Sequence, residues 1–199
     1  MRLLVIGINH STASLELRER LAFTPGELAP ALLSLSHHLS SYNGSSNTEA
    51  AKTEAVIIST CNRTELVMSA SSSQQYVLSW LTGIKRIDHD DFSEHVYCYE
   101  GEDAVKHLIK VAGGLDSMIL GEPQIFGQMK SAYAVSRGVC AINTELEAVF
   151  QHVFAVEKKV RSDTAIGENP VSVAYAAVSL AQRIFADLSS VSVLLIGAG

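Results

Sequence analysis

Long apolar runs are missing from this sequence. None approaches the ~20 residues that a membrane-spanning helix requires, which argues against a membrane protein. The opening MRLLVIGINH has only a brief apolar run, and no small-residue cleavage site follows it. It reads as a first strand rather than a signal peptide, and the chain is expected in the cytoplasm. Cysteine is scarce: Cys61, Cys98 and Cys140 are odd in number and widely spaced. That argues against a disulfide framework and fits no zinc pattern, so they read as thiols and no metal site is expected. An excess of positive charge is also absent, with 15 Lys and Arg against 21 Asp and Glu and a net charge of −6. A generic nucleic-acid binder held mainly by phosphate contacts is disfavoured, although a local basic patch remains open.

What is present is globular in kind. The 199 residues are 47% hydrophobic and 18% charged, enough for one large domain or one domain plus part of another. Residues 3–9 read as a buried strand, and Gly7 within it suggests close approach of another backbone. A polar loop, His10-Ser11-Thr12, leads to a helix over 15–21. Thr24-Pro25-Gly26-Glu27 combines a capping box with a proline at the first helical position and opens a helix over 25–36. Residues 37–53 have loop composition and are expected to be the most mobile surface segment. His37 and His38 within them are adjacent, a poor spacing for a shared metal. A buried strand over 55–58, a returning strand over 66–70 and a helix over 74–81 ending near Gly83 make the pattern α+β.

HVYCY, residues 95–99, alternates like a strand, with Cys98 on the core side. A helix over 101–114 carries the stripe Val105, Leu108, Ile109 and Ala112, and His107 lies on its semi-apolar flank. A helix over 124–136 stops at Gly138. A second capping box, Thr144 to Glu147, opens a long amphipathic helix to about Arg161, whose Lys158, Lys159 and Arg161 suit the helix dipole. Residues 162–170 break the pattern and mark a domain boundary. An Ala-rich helix over 171–185 and an apolar strand over 191–196 then run into Gly197-Ala198-Gly199, the opening of a dinucleotide fingerprint.

Two stretches carry chemistry. In STCNRTE, residues 59–65, Cys61 follows a buried strand and has polar neighbours, whereas a structural cysteine prefers apolar ones. Arg63 is a cation of the kind that favours the thiolate, so Cys61 is the leading nucleophile; the alternative is a buried cysteine beside a surface Arg/Glu pair. LDSMILGEPQIFG, residues 115–127, interleaves polar with apolar side chains, and Gly121 and Pro123 fix its backbone. It is either a capped connection between helices or a small-ligand pocket wall.

Together these stretches resemble the glutamyl-tRNA reductase family. GINHSTA, LRERLAF, STCNRTE, GLDSMILGEPQIFGQ, KKVRSDTAIG and VLLIGAG occur in the family's order and spacing over essentially the whole chain. The resemblance implies an NADPH-dependent reduction of glutamyl-tRNA to glutamate-1-semialdehyde, the first step toward 5-aminolevulinate and tetrapyrroles. It implies that Cys61 attacks the aminoacyl ester to give a thioester, that His107 carries a proton or polarises the carbonyl, and that Arg63 pairs with the glutamyl γ-carboxylate. Thr60, Asn62, Ser117, Glu122, Pro123, Gln124 and Gln128 match the family's other substrate contacts, and Glu122 could hold the substrate's ammonium. Gly197, Ala198 and Gly199 match the start of the cofactor site.

The implied organisation is an α+β catalytic, tRNA-binding domain over 1–160, including the start of the long connecting helix. Over 161–199 a linker and the first helix and strand of a Rossmann-like α/β domain follow. The family continues with the rest of the NADPH domain and a helical dimerisation domain. A chain ending at Gly199 is therefore expected to acylate and deacylate but not reduce, and its strand over 191–196 to fold back on the preceding helix or pair with another copy. The implied partners are glutamyl-tRNA, a second copy in the family's homodimer, and the next enzyme of the pathway, an aminomutase. Two rivals stand beside this reading. A non-catalytic tRNA-binding module would not need the thiol, and a redox sensor would need a resolving cysteine near Cys61, which neither Cys98 nor Cys140, both in apolar contexts, supplies.

Overall fold

Strand β1 (Leu3–Asn9) alternates two apolar sets, and both are buried. Leu4, Ile6 and Ile8 point into one core and Leu3 and Val5 into another, so the strand is central in a sheet covered on both faces. The computed structural model describes residues 3–42, 54–69, 74–167, 173–185 and 187–194. In it β2 (Glu54–Ser59), β3 (Arg63–Ser69) and β4 (Tyr97–Glu100) complete an antiparallel sheet of order β2-β3-β1-β4.

One face packs on α1 (Leu15–Leu21), α2 (Pro25–Tyr42), α3 (Gln74–Lys85) and the short α4 (His89–Ser93). The other packs on α5 (Gly101–Ala112), α6 (Gln124–Gly138) and α7 (Thr144–Asp163). The architecture is helix, sheet, helix, of the α+β class expected. Among the described residues no helix is long and apolar enough to cross a membrane.

Several boundaries differ from expectation for physical reasons. Helix α2 runs on to Tyr42 through residues of loop composition, because Leu35 and Leu39 are both fully buried and anchor it; the remainder of the expected loop, 43–53, lies outside the described residues. Strand β3 begins at Arg63 rather than Leu66, because the turn from β2 is tight. On α5 the buried side is Ala104, His107, Leu108 and Val111, so His107 faces the interior rather than a flank. Tyr99 stacks on its ring at 4.5 Å, which turns a polar residue inward. Cys140 is exposed at φ 55°, not in an apolar setting.

The first capping box forms, with the Thr24 backbone N–H and hydroxyl both donating to Glu27 Oε2. The second does not. Asn143 is the residue before α7, and the buried carboxylate of Glu54 at the start of β2 accepts from the N–H groups of Glu145 and Leu146, at 3.3 and 2.7 Å. A strand thus caps a helix.

After α7, residues Ala165–Gly167 form a 3₁₀ turn and α8 (Val173–Ile184) follows with an exposed apolar side that includes Tyr175, Val178 and Leu180. The strand expected over 191–196 is not found in its described part. Residues 191–194 have no strand partner among the described residues, and Val193 and Leu194 are more than four-fifths exposed. A parallel-sheet strand needs neighbours to bond with, and the only sheet among the described residues is made of β2, β3, β1 and β4, none of which pairs with these residues. Residues 195–199, which include the GxG, lie outside the described residues.

Candidate active site

Between Ser59 and Arg63 the chain reverses through Thr60, Cys61 and Asn62. The Thr60 N–H donates to the Arg63 carbonyl at 2.8 Å, and the Thr60 hydroxyl accepts from the N–H groups of Asn62 and Arg63 at 3.1 and 3.2 Å. Threonine supplies the local acceptor that such a turn needs. Arg18 of α1 clamps the outside, its guanidinium donating to the Cys61 carbonyl at 3.1 Å and to Asn62 Oδ1 at 3.2 Å. Cys61 is left exposed at the tip of a turn whose backbone is held from both sides.

Beneath it is a cavity of about 110 Å³, lined by Thr60, Cys61, Asn62, Arg63, Ser117, Glu122, Gln124, Ile125 and Gln128. The expected site residues are therefore gathered in one place, apart from three sets. Pro123, exposed before α6, does not line the cavity. His107 does not line it either. Gly197, Ala198 and Gly199 lie outside the described residues. The segment bearing Ser117 and Glu122 is closed at its base by Gly114 and Gly121, with the Gly121 N–H on the Gly114 carbonyl at 3.0 Å. Gly114 has φ +67°, and a Cβ there would lie 2.9 Å from the Glu122 nitrogen, so only glycine fits.

Arg63 is not an unpaired cation beside the thiol. Its guanidinium is 1% exposed; Nη1 meets Glu65 Oε1 at 2.7 Å, and Nη2 meets Asp116 Oδ2 at 2.9 Å and the Asp116 carbonyl at 2.5 Å. Burial opposes its charge, but Glu65 and Asp116 more than offset this and raise its pKa. Glu65, fully buried, is the hub: Oε1 also accepts from Tyr97 Oη at 2.5 Å and faces His107 Nε2 at 2.8 Å. Burial alone would raise the Glu65 pKa, but the bond from His107 and the charge of Arg63 hold it at about 2. The carboxylate is thus ionised and His107 Nε2 is the donor. Tyr97 is pushed up, by burial first and then by Glu65. His107 is consequently two residues removed from the cavity, linked to it through Glu65 and Arg63.

Sequence reasoning missed Arg18, placed only within the helix over 15–21, and Asn9, whose amide donates to Asp116 at 3.3 Å. It also missed that Glu65 is interior and that Tyr97 bonds to it. None of these has a spacing signal, because the partners lie 32 to 107 residues apart. Among the described residues no group of His, Cys, Asp and Glu could hold a metal ion.

A thiol exposed on a braced turn, above a small cavity walled by guanidinium, carboxylate and amides, defines a class of protein: an α+β domain that presents cysteine to a small polar group. Comparison with known proteins gives the class its family. Residues 6–164 match the model of the glutamyl-tRNAGlu reductase N-terminal domain, and the chain belongs to that family. It is 51% identical over 201 residues to a glutamyl-tRNA reductase of Marinomonas sp. (strain MWYL1), covering all of this chain and 45% of that protein. It is 52% identical over 200 residues to one of Pseudomonas putida (strain GB-1), covering 44% of that protein. The solved glutamyl-tRNA reductase from Methanopyrus kandleri superposes with a TM-score of 0.66 at 30% identity, over 91% of this chain and 39% of that one. The chain thus spans a little under half the length of these relatives.

Proposed function

We propose that this chain is the catalytic part of a glutamyl-tRNA reductase acting in the cytoplasm, and that Cys61 is its acyl acceptor. The observation that carries the reading is the exposed Cys61 thiol at the mouth of a cavity walled by Arg63, Glu122 and Gln124, in a chain of this family. In the step proposed, Cys61 Sγ attacks the carbonyl carbon of the aminoacyl ester. A C–S bond forms, the C–O bond to the terminal ribose breaks, and the thiol's proton passes to the departing ribose oxygen. The result is a thioester, a better hydride acceptor than an ester.

The cavity suits the glutamyl group. Arg63 offers a guanidinium for the γ-carboxylate and Glu122 a carboxylate for the ammonium, with Thr60, Asn62, Ser117, Gln124 and Gln128 around them. Asp116, which already pairs with Arg63, is half-exposed and can yield its place to a substrate carboxylate. Pro123 opens α6 and so sets the direction of Gln124. His107 acts through Glu65, holding Arg63 in place, since its Nε2 is committed to that carboxylate.

NADPH would supply the hydride that turns the thioester into glutamate-1-semialdehyde, the precursor of 5-aminolevulinate. Its proposed contacts at Gly197, Ala198 and Gly199 lie outside the described residues. Residues 1–160 are proposed as the catalytic, tRNA-binding domain and 161–199 as the start of the cofactor domain. A homodimer and the following aminomutase are the proposed protein partners. The test is incubation with glutamyl-tRNA followed by intact mass spectrometry. A glutamyl adduct on Cys61, absent from Cys61→Ser, is expected. A full-rate adduct in that variant, mapped to Cys98 or Cys140, overturns the assignment.

A further inference from the structure

The stretch KKVRSDTAIG, residues 158–167, does not line the thiol cavity, yet it lies against one of its walls. It forms the end of α7 and the 3₁₀ turn Ala165–Gly167. Gly121, the residue before Glu122, is buried beneath that turn. Its φ is +78°, and a Cβ built on it would lie 3.1 Å from Ile166 Cγ1, with Ile166 Cδ1 and the Ile166 carbonyl oxygen also within 4 Å. The missing side chain lets Ile166 rest directly on the backbone that leads to Glu122.

That backbone needs support from outside. Leu115, Met118 and Leu120 are exposed and do not anchor it, and its own ties are the bond between Gly121 and Gly114 and the Glu122 N–H on the Ile119 carbonyl at 3.2 Å. A second prop also comes from α7. Glu157 is fully buried; Arg161 bonds its Oε1, while Oε2 has no hydrogen-bond partner among the described residues and would lie 3.1 Å from a Cβ on Gly113. The far end of α7 therefore bears on the segment at both of its ends, through Glu157 at Gly113 and through Ile166 at Gly121. The Cys61 turn is braced separately, by Arg18 and Thr60.

We propose that Ile166 is a positioning residue for the glutamyl site: packed on Gly121, it fixes the backbone from which Glu122 reaches the cavity. The inference rests on the proposed role of Glu122 at the substrate's ammonium group and adds what holds Glu122 in place. An aliphatic side chain outside the cavity then governs how well the glutamyl group is bound, because a small misplacement of a binding group is costly even when its cause is remote. The turn after α7 becomes a lever, since its displacement reaches Glu122 without passing through Cys61.

The test is a double-mutant cycle between Ile166→Ala and Glu122→Gln in the full-length protein, read as single-turnover thioester formation over a range of glutamyl-tRNA concentrations. Among the described residues Ile166 belongs to neither core, so its truncation leaves the fold intact. Ile166→Ala is expected to raise KM by about 5- to 10-fold with kcat within about twofold, and Ile166→Val, which keeps the branch at Cβ, to stay near the original. In the Glu122→Gln background the same truncation should add less than about twofold, because the group it acts through is already gone. Alkylation of Cys61 by iodoacetamide should be as fast in Ile166→Ala as in the unsubstituted protein. An unchanged KM in Ile166→Ala overturns the proposal, as do effects that multiply in the double variant, which would mean that Ile166 acts independently of Glu122. An altered alkylation rate overturns it too, by showing that the disturbance reaches the thiol. If Glu122→Gln alone leaves KM unchanged, the proposal falls with the assignment of Glu122. Absence of any thioester on the unsubstituted protein removes the acyl-transfer reading itself, a result distinct from the others.

Discussion

Gly7 and Glu65 are directly paired across β1 and β3, and the glycine is what lets the glutamate be there. A Cβ on Gly7 would lie 2.8 Å from Glu65 Cγ and 2.5 Å from the Thr64 carbonyl oxygen. The sheet face that is apolar at Val5 and Val67 thus becomes polar at its Cys61 end, where Glu65 gathers Arg63, Tyr97 and His107.

Gly7→Ala should therefore be costly although it adds one methyl. Two backbone contacts and one side-chain contact fall below 3 Å, and the sheet is paired on both sides of β1, so nothing can move cheaply. A loss at the upper end of the overpacking range, about 3 kcal/mol, is expected in urea unfolding. A change under about 0.5 kcal/mol would show that the strands have slack at this point.

Glu65 also sets an acid limit. Its pKa is held down, from 4.5 to about 2, so its contribution is complete above about pH 4.5 and is lost as pH falls from there toward 2. Sign and size follow together: the unfolded chain binds the proton first, and the loss amounts to roughly 3 kcal/mol. Glu65→Gln should be less stable than the unsubstituted protein at pH 7, with the gap closing toward pH 2.5. Parallel stability curves over that range would mean that the network does not titrate through Glu65.

The cap on α7 gives a third expectation. Glu54→Ala leaves the Glu145 and Leu146 N–H groups without their acceptor in a half-buried place, and a loss of about 1–2 kcal/mol is expected. Thr144→Ala should cost much less, since Thr144 is inside the helix and makes no cap. The reverse order, read from thermal unfolding, would restore the capping box that the local sequence suggests.

These cases show which parts were legible in the sequence. Strand β1 and helix α1 were readable to the residue because their apolar periodicity is local. Cys61 was readable because a thiol among Thr, Asn and Arg is out of place in a core. Glu54 capping a helix 91 residues away, Arg18 clamping a turn 43 residues away, and the interior position of Glu65 were not readable, because each depends on which strands pair. His107 was misplaced for the same reason: its helix face is decided by Glu65 and Tyr99, which the sequence of α5 does not contain. The capping box at Thr144 was a valid local signal overridden by a better acceptor.

The last expectation concerns Asp116. Arg63 is held from behind by Glu65, fully buried, and from in front by Asp116, whose side chain is 37% exposed and also accepts from Asn9. On the proposed function the two contacts differ in purpose. The rear one fixes the guanidinium; the front one occupies a nitrogen that a substrate γ-carboxylate would use, and it keeps a negative charge near the path of an anionic group. Asp116→Asn removes that charge and keeps a side chain of the same shape on Asn9. If the front contact is a placeholder, KM for glutamyl-tRNA in thioester formation should fall by about 3- to 10-fold, with kcat within a few-fold of the original, because competition for Arg63 raises KM without touching the transition state. If the contact instead aims Arg63, KM should rise by tenfold or more and kcat fall with it. Single-turnover acylation over a range of glutamyl-tRNA concentrations separates the two, and a rise in KM would end the placeholder reading.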